Sequence, residues 1–250
     1  MIIIKNKQAL LKMREAGKRL AALFQEIASR MIVAGMRAWD LEVWIAQRLS
    51  QLELQSKTKG YKGYKYVSCI SVNDEVVHGL PTQEKVFKNG DVITVDICAS
   101  WKGYCADMAR SFVIGTNELG KKLIDVALHS LEAGLCEVRP GNHLSDISAA
   151  IQGCVEGQGF GVVRSFAGHG VGKYMHEDPE ILNYGKPHRG PRLRQGMTLA
   201  IEPMITAGHY DVHIMEDGWT VKTVDGSLAA HVEDTVAVTE DGYEVLTRAL

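Results

Sequence analysis

Hydrophobic positions in the first thirty residues recur at helical intervals. Leu10, Leu11, Met13, Ala16, Leu20, Leu23 and Ile27 lie near a 3.6-residue period, which predicts a helix over 7–31. Gly35 closes that segment. Asp40 reads as the N-cap of a second helix, about 40–53, with Val43, Trp44 and Leu49 inside it. Runs rich in β-branched residues predict strands over 67–72, 92–97, 198–201 and 232–238. Two further helices fit 123–136 and 145–156. The opening isoleucines, Ile2 to Ile4, read as a first strand or as the lead-in to the first helix.

The pattern repeats. At an offset of 106 residues Gly35 falls on Gly141, Asp40 on Asp146, Leu41 on Ile147, Ile45 on Ile151 and Gly79 on Gly185. The stretch Lys88-Asn-Gly90-Asp-Val-Ile-Thr-Val-Asp96 falls on Arg194-Gln-Gly196-Met-Thr-Leu-Ala-Ile-Glu202. A turn, a strand and a carboxylate in one register with a helix pair imply two copies of a helix-helix-strand unit. The expectation is an α/β (α+β) chain with a single domain, 1–250, whose halves, about 7–106 and 113–250, are related by a pseudo-twofold. Packing about that axis would bring Asp96 and Glu202 together. Clustered anions repel and are costly to bury unless cations lie between them.

Other polar residues extend this cluster. Asp107 follows the turn Trp101-Lys-Gly-Tyr104, and a returning strand would set it beside Asp96. His169 stands among glycines in Gly168-His169-Gly170-Val171-Gly172, where small neighbours permit close backbone approach. His176 follows seven residues later, outside the spacing of a helical HExxH site. Pro203 directly after Glu202 ends a strand or places it at an edge. In His231-Val-Glu233-Asp234-Thr either carboxylate could face inward, and alternation alone does not choose. Four carboxylates and an imidazole suit a hard or borderline divalent cation such as Mn, Fe, Co or Zn. Shared carboxylates suit two of them, about 3.5–4 Å apart.

Composition removes several alternatives. Basic and acidic groups number 28 and 30, so charge gives no support for nucleic-acid binding. No segment approaches the ~18–20 apolar residues of a membrane span, and the N-terminal isoleucines are too few for a signal peptide. Five cysteines without a CxxC pair argue against a disulfide framework or a thiolate zinc site, and fit a reducing cytoplasm.

Four stretches together resemble the type I methionine aminopeptidases, in their short bacterial-type form. They are Ser71-Val-Asn-Asp-Glu-Val-Val-His78-Gly-Leu-Pro; Gly90-Asp-Val-Ile-Thr-Val-Asp96 with Asp107; Gly168-His169-Gly-Val-Gly with His176-Glu177; and Ile201-Glu202-Pro-Met204 with Asp217-Gly-Trp219-Thr220 and Glu233. The resemblance runs over about residues 5 to 247. It implies the pita-bread fold, two α/β halves around a curved antiparallel sheet. It implies two divalent metal ions on Asp96, Asp107, His169, Glu202 and Glu233, with Asp107 and Glu233 bridging. That choice prefers Glu233 over Asp234. It also implies His78, His176 and Glu202 as catalytic residues. Tyr61, Tyr64, Cys69, Phe166 and Trp219 would line a methionine pocket together with His78 and His176.

The implied activity is removal of N-terminal methionine from nascent polypeptides with a small second residue. The implied setting is a cytoplasmic monomer, with the ribosome as a further partner and neither membrane nor nucleic acid. Met175, where some members carry an aromatic, and His231, where a glutamine is common, depart from the pattern near the pocket. An X-Pro aminopeptidase or prolidase would need an extra N-terminal domain, for which a repeat beginning near residue 7 leaves no space. A non-catalytic peptide binder on the same fold would not need to keep all five ligands.

Overall fold

The computed structural model describes residues 1–248. Helix α1 (Lys7–Glu26) starts where the Asn6 side chain accepts a hydrogen bond from Ala9 N–H, and continues as a wider π turn over Ile27–Met31. The opening isoleucines are therefore a lead-in and not a strand. Helix α2 (Ala38–Gln51) begins two residues before the expected position. Asp40 is consequently not its N-cap: it sits in the first turn, paired with Arg37 at 2.8 Å. There its charge still favours the helix N-terminus. Helices α3 (Glu118–Cys136) and α4 (Leu144–Gly157) follow in the second half. Asn117 caps α3 through Gly120 N–H, so that helix starts five residues earlier than the apolar period alone suggests.

The first-half strands are β1 (Gln55–Ser56), β2 (Cys69–Val72), β3 (Glu75–Val77), β4 (Val92–Trp101) and β5 (Tyr104–Val113). The second half adds β6 (Gly161–Val162), β7 (Gly168–Gly170), β8 (Glu177–Ile181), β9 (Thr198–Ile201), β10 (Met204–Thr206), β11 (Val212–Ile214), β12 (Val221–Thr223), β13 (Ala229–His231), β14 (Glu233–Val238) and β15 (Tyr243–Val245). Nine strands form one sheet in the order β1-β4-β5-β14-β9-β7-β8, with β2 also on β4 and β15 on β14. Every pairing in it is antiparallel. Strand β4 is ten residues long, so Asp96 lies mid-strand, whereas Glu202 follows the last residue of β9.

The sequence repeat reappears at the same offset of 106 residues. It relates Ala38–Gln51 to Leu144–Gly157, and the start of β4 at Val92 to that of β9 at Thr198. Isolated bridges Arg37↔Val86 and His143↔Arg192 obey it as well. Gly90 and Gly196 both turn with positive φ, 91° and 85°, ahead of the equivalent strands.

Each half buries its own helix pair against the sheet. Leu20, Leu23 and Ile27 of the first segment join Leu41, Ile45 and Leu49 of α2 on Ile93, Val95 and Ile97 of β4. Leu123 and Leu131 of α3 join Ile147 and Ile151 of α4 on Leu199, Ile201, Val236 and Val238. Burying each such side chain contributes about 1.5–3 kcal/mol. The helices therefore claim one set of alternate residues on these strands and leave the other set for chemistry. Among the described residues, no helix is long and apolar enough to cross a membrane.

Candidate metal centre and active site

Strand register decides which side chains meet. Cross-strand partners point to the same face of a sheet, and side chains alternate along each strand. Asp96 pairs with Ala109, with Cys69 on its other side, and Cys98 pairs with Asp107. Ala109 also pairs with Glu233, Thr235 with Ala200, and Ala200 with His169. One face therefore carries Asp96, Asp107, Glu233 and His169, together with Glu202, two residues beyond Ala200. The helices cover the opposite face.

The same register separates Glu233 from Asp234. Asp234 turns to the helix side, where Arg110 reaches it at 2.7 Å, Arg248 at 2.9 Å and the Thr247 hydroxyl at 2.7 Å. It is a structural anion satisfied by protein. Glu233 is buried on the carboxylate face, and its Oε1 has no hydrogen-bond partner among the described residues.

Ligand atoms of Asp107, His169 and Glu233 all lie within 4.8 Å of one another. Glu202 Oε1 is 3.4 Å and Asp107 Oδ2 3.9 Å from His169 Nε2. The His169 Nδ1 lies 3.0 Å from the Gly170 carbonyl oxygen. A carbonyl only accepts, so Nδ1 carries the proton and Nε2 presents a lone pair to the carboxylates. Burial holds this imidazole neutral, with its pKa pulled down to about 3. Burial and the Asp107 charge push Asp96 up to about 8, while burial and Glu202 push Asp107 up to about 7. Burial also raises Glu202 and Glu233 well above the carboxylate range. Four converging acids, an orphaned carboxylate oxygen and a free imidazole lone pair fit divalent cations. Without them the anions cannot all ionise.

The chain braces this cluster from behind. Thr235 Oγ1 accepts from Asp107 N–H at 2.8 Å and donates to its carbonyl at 2.9 Å. Asn183 donates to the Glu202 carbonyl at 2.9 Å. A side chain at Gly168 would place its Cβ 2.5 Å from the Ala200 carbonyl oxygen, and one at Gly170 would collide with the Asp178 carbonyl. Those two glycines let β7 lie flat between its neighbours and hold His169 in place.

The cluster forms one wall of a cavity of about 460 Å³. The metal, catalytic and pocket residues that the resemblance implies all line it: Tyr61, Tyr64, Cys69, His78, Asp96, Asp107, Phe166, His169, His176, Glu202, Trp219 and Glu233. Tyr64 meets the Trp219 ring edge-on at 4.9 Å, and its hydroxyl donates to the Ser68 carbonyl at 3.1 Å. Asp217 fixes Trp219 by accepting from Trp219 N–H and Thr220 N–H, each at 2.8 Å. His78 packs edge-on against Phe166 at 5.6 Å, and its backbone takes a left-handed φ of 58°. Burial lowers its pKa to about 4, so the ring is neutral at pH 7. His176 lies edge-on to His169 at 4.3 Å and shares a 2.9 Å hydrogen bond with the Tyr61 hydroxyl. One edge of it meets solvent; burial of the rest and the Lys62 charge lower its pKa.

A family model described as metallopeptidase family M24 matches residues 11–240. The chain belongs to metallopeptidase family M24. It is similar along its full length to methionine aminopeptidase 1 of Bacillus subtilis, at 46% identity over 99% of this chain and 100% of that protein. Its fold superimposes on the crystal structure of the methionine aminopeptidase of Thermotoga maritima with a TM-score of 0.97, at 48% identity and full coverage of both chains. Prolidase from Pyrococcus furiosus shares the fold at a TM-score of 0.78 and 21% identity, with this chain covering 66% of that one. The architecture is the pita-bread fold, as the family resemblance implied, and it agrees with the internal repeat. Membership in the family implies divalent metal ions.

Two supporting residues escaped the sequence reading. Glu42 is buried under the pocket loop, where it accepts from Val67 N–H at 2.6 Å, Ser68 N–H at 3.1 Å and the Ser68 hydroxyl at 2.6 Å. A carboxylate on the apolar stripe Ala38-Glu42-Ile45-Leu49 was the available signal. Arg110, the partner of Asp234, left none.

Proposed function

We propose that this chain is a methionine aminopeptidase, hydrolysing the first peptide bond of polypeptides that begin with methionine. The observation that carries the reading is the carboxylate–imidazole cluster at the wall of an aromatic cavity, in a chain similar over its full length to proteins of that name. Asp96, Asp107, His169, Glu202 and Glu233 would hold two divalent ions drawn from Co, Mn, Fe or Zn. When bound, such ions supply Lewis acidity and a nucleophilic water. Glu202 would serve as base and proton shuttle: its carboxylate takes a proton from the attacking water and returns it to the leaving amine. His176, open to solvent on one edge, donates to the carbonyl oxygen as charge develops there. Neutral His78 holds the scissile amide from the opposite side.

The substrate's α-amine docks at the carboxylate cluster, which confines the reaction to chain ends. Its methionine side chain lies among Tyr61, Tyr64, Cys69, Phe166 and Trp219, where aromatic edges suit a thioether. We assign a single catalytic domain of two repeated halves, a preference for small second residues, a cytoplasmic monomer, and nascent chains at the ribosome as the physiological source of substrate.

Metal-stripped protein incubated with Met-Gly-Met-Met tests this, with and without Co or Mn, following free methionine by mass spectrometry. Metal-dependent release of one methionine is expected, with Met-Lys-Gly and Ala-Pro-Gly left intact. Cleavage of Ala-Pro-Gly alone would move the chain to the X-Pro peptidases. No cleavage by folded, metal-loaded protein would make it a binding module.

A further inference from the structure

His231 is 1% exposed, and neither of its ring nitrogens has a hydrogen-bond partner among the described residues. A buried imidazole without partners is destabilising, so its presence here calls for a use. Its backbone is held firmly. Ser111 Oγ accepts from His231 N–H at 3.1 Å, donates to the His231 carbonyl at 2.9 Å, and is itself 2.7 Å from Thr94 Oγ1. The ring lines the same cavity as the carboxylates, and its Nε2 stands 3.6 Å from Glu202 Oε2. The other oxygen of that carboxylate is 3.4 Å from His169 Nε2. Glu202 is thus suspended between two imidazoles. The Nδ1 proton of His169 is committed to Gly170, so that ring offers Glu202 a lone pair, which suits a shared cation. His231 has no such commitment and is free to offer Glu202 a proton.

We infer that His231 is a positioning residue for Glu202: its Nε2–H donates to Glu202 Oε2 and keeps Oε1 turned towards His169. A few tenths of an ångström of side-chain closure makes this a hydrogen bond, and a carboxylate so held loses fewer rotamers when it takes a metal. The inference rests on the metal-dependent function proposed above.

Two amide substitutions test it. Gln at 231 carries an N–H at the reach of Nε2, whereas Asn carries one only at the reach of Nδ1. Calorimetric titration of metal-free protein with Co²⁺ is measured for the wild type, His231→Gln, His231→Asn and His231→Leu, beside kcat and KM on Met-Gly-Met-Met. His231→Asn and His231→Leu are expected to bind Co²⁺ about 10–100-fold more weakly, with a comparable fall in kcat and KM within about threefold of wild type. His231→Gln stays within about threefold throughout. Metal-free His231→Leu is expected to unfold cooperatively in a thermal melt close to wild type, so that its weaker Co²⁺ binding is not a loss of fold. Unchanged Co²⁺ affinity in His231→Leu and His231→Asn would overturn the inference. An equal loss in all three would overturn it too, by making the imidazole itself a ligand. Co²⁺ binding without peptide cleavage in the wild type would remove the functional reading and leave the affinity comparison standing.

Discussion

Glu233 and Asp234 are neighbours in sequence and face opposite sides of one strand. That single step separates a carboxylate on the cavity wall from one held by two arginines. Glu233→Gln is expected to lose at least one bound metal and nearly all turnover while melting close to wild type in the metal-free state. Asp234→Asn leaves Arg110 and Arg248 without their shared anion and is expected to cost about 3–5 kcal/mol of stability. Elemental analysis and thermal melts of the two variants distinguish these fates; a metal loss in Asp234→Asn as complete as in Glu233→Gln contradicts the register argument. Among the described residues His78 forms no ion pair with the carboxylates, and its ring packs edge-on against Phe166 and Trp219. His78→Ala should lower kcat by about 10²–10⁴-fold with metal content intact. Should metal be lost instead, His78 is misassigned.

At the scale of elements, the pocket depends on a loop whose regular structure is a single 3-10 turn, Tyr61–Gly63. The segment from Tyr61 to Ser68, between β1 and β2, carries Tyr61 and Tyr64 and is hung from Glu42 of α2 by three hydrogen bonds. Glu42→Ala orphans two backbone N–H groups and a hydroxyl. The loss, about 1–3 kcal/mol, is felt where the methionine side chain docks. KM for methionyl peptides should rise about tenfold with Co²⁺ affinity unchanged, since Glu42 touches no ligand. Equal KM in steady-state kinetics would show that the loop holds its shape by packing alone. The long helices and the strands β4, β9 and β14 were legible beforehand, because their apolar periods match their burial. The two- and three-residue strands were not, since segments that short carry no period.

For the whole molecule, the carboxylate cluster links metal content to stability. In the metal-free fold Asp96 and Asp107 are raised to about 8 and about 7, against about 3.9 in the unfolded chain. A raised acid contributes stability below its unfolded pKa, and that contribution is lost as pH rises through the folded value. Metal-free protein should therefore lose stability steadily between about pH 4 and 8. Bound divalent cations neutralise the cluster, so loaded protein should show little of this slope and melt higher throughout. Thermal melts from pH 5.5 to 8.5, with and without chelator, measure the difference. Parallel pH slopes in the two states would mean that other groups dominate.

Sequence alone determined the long helices and strands, the 106-residue repeat and the residue types of the site, because apolar period, turn glycines and the order of acids and histidines along the chain are local properties. It placed Asp96, Asp107, His169 and Glu202 in one inventory but could not choose between Glu233 and Asp234 without resemblance to a family. Strand register separated the two, and the register of β14 on β5 relates chain segments more than a hundred residues apart. The same holds for His231. Its type and position are visible in the sequence, but its use depends on Glu202, about thirty residues back just past the end of β9, and on a burial that leaves its ring nitrogens no hydrogen-bond partner among the described residues. Distances across a folded sheet, and the loss of water that makes an unpaired nitrogen costly, exist only once the two halves have closed.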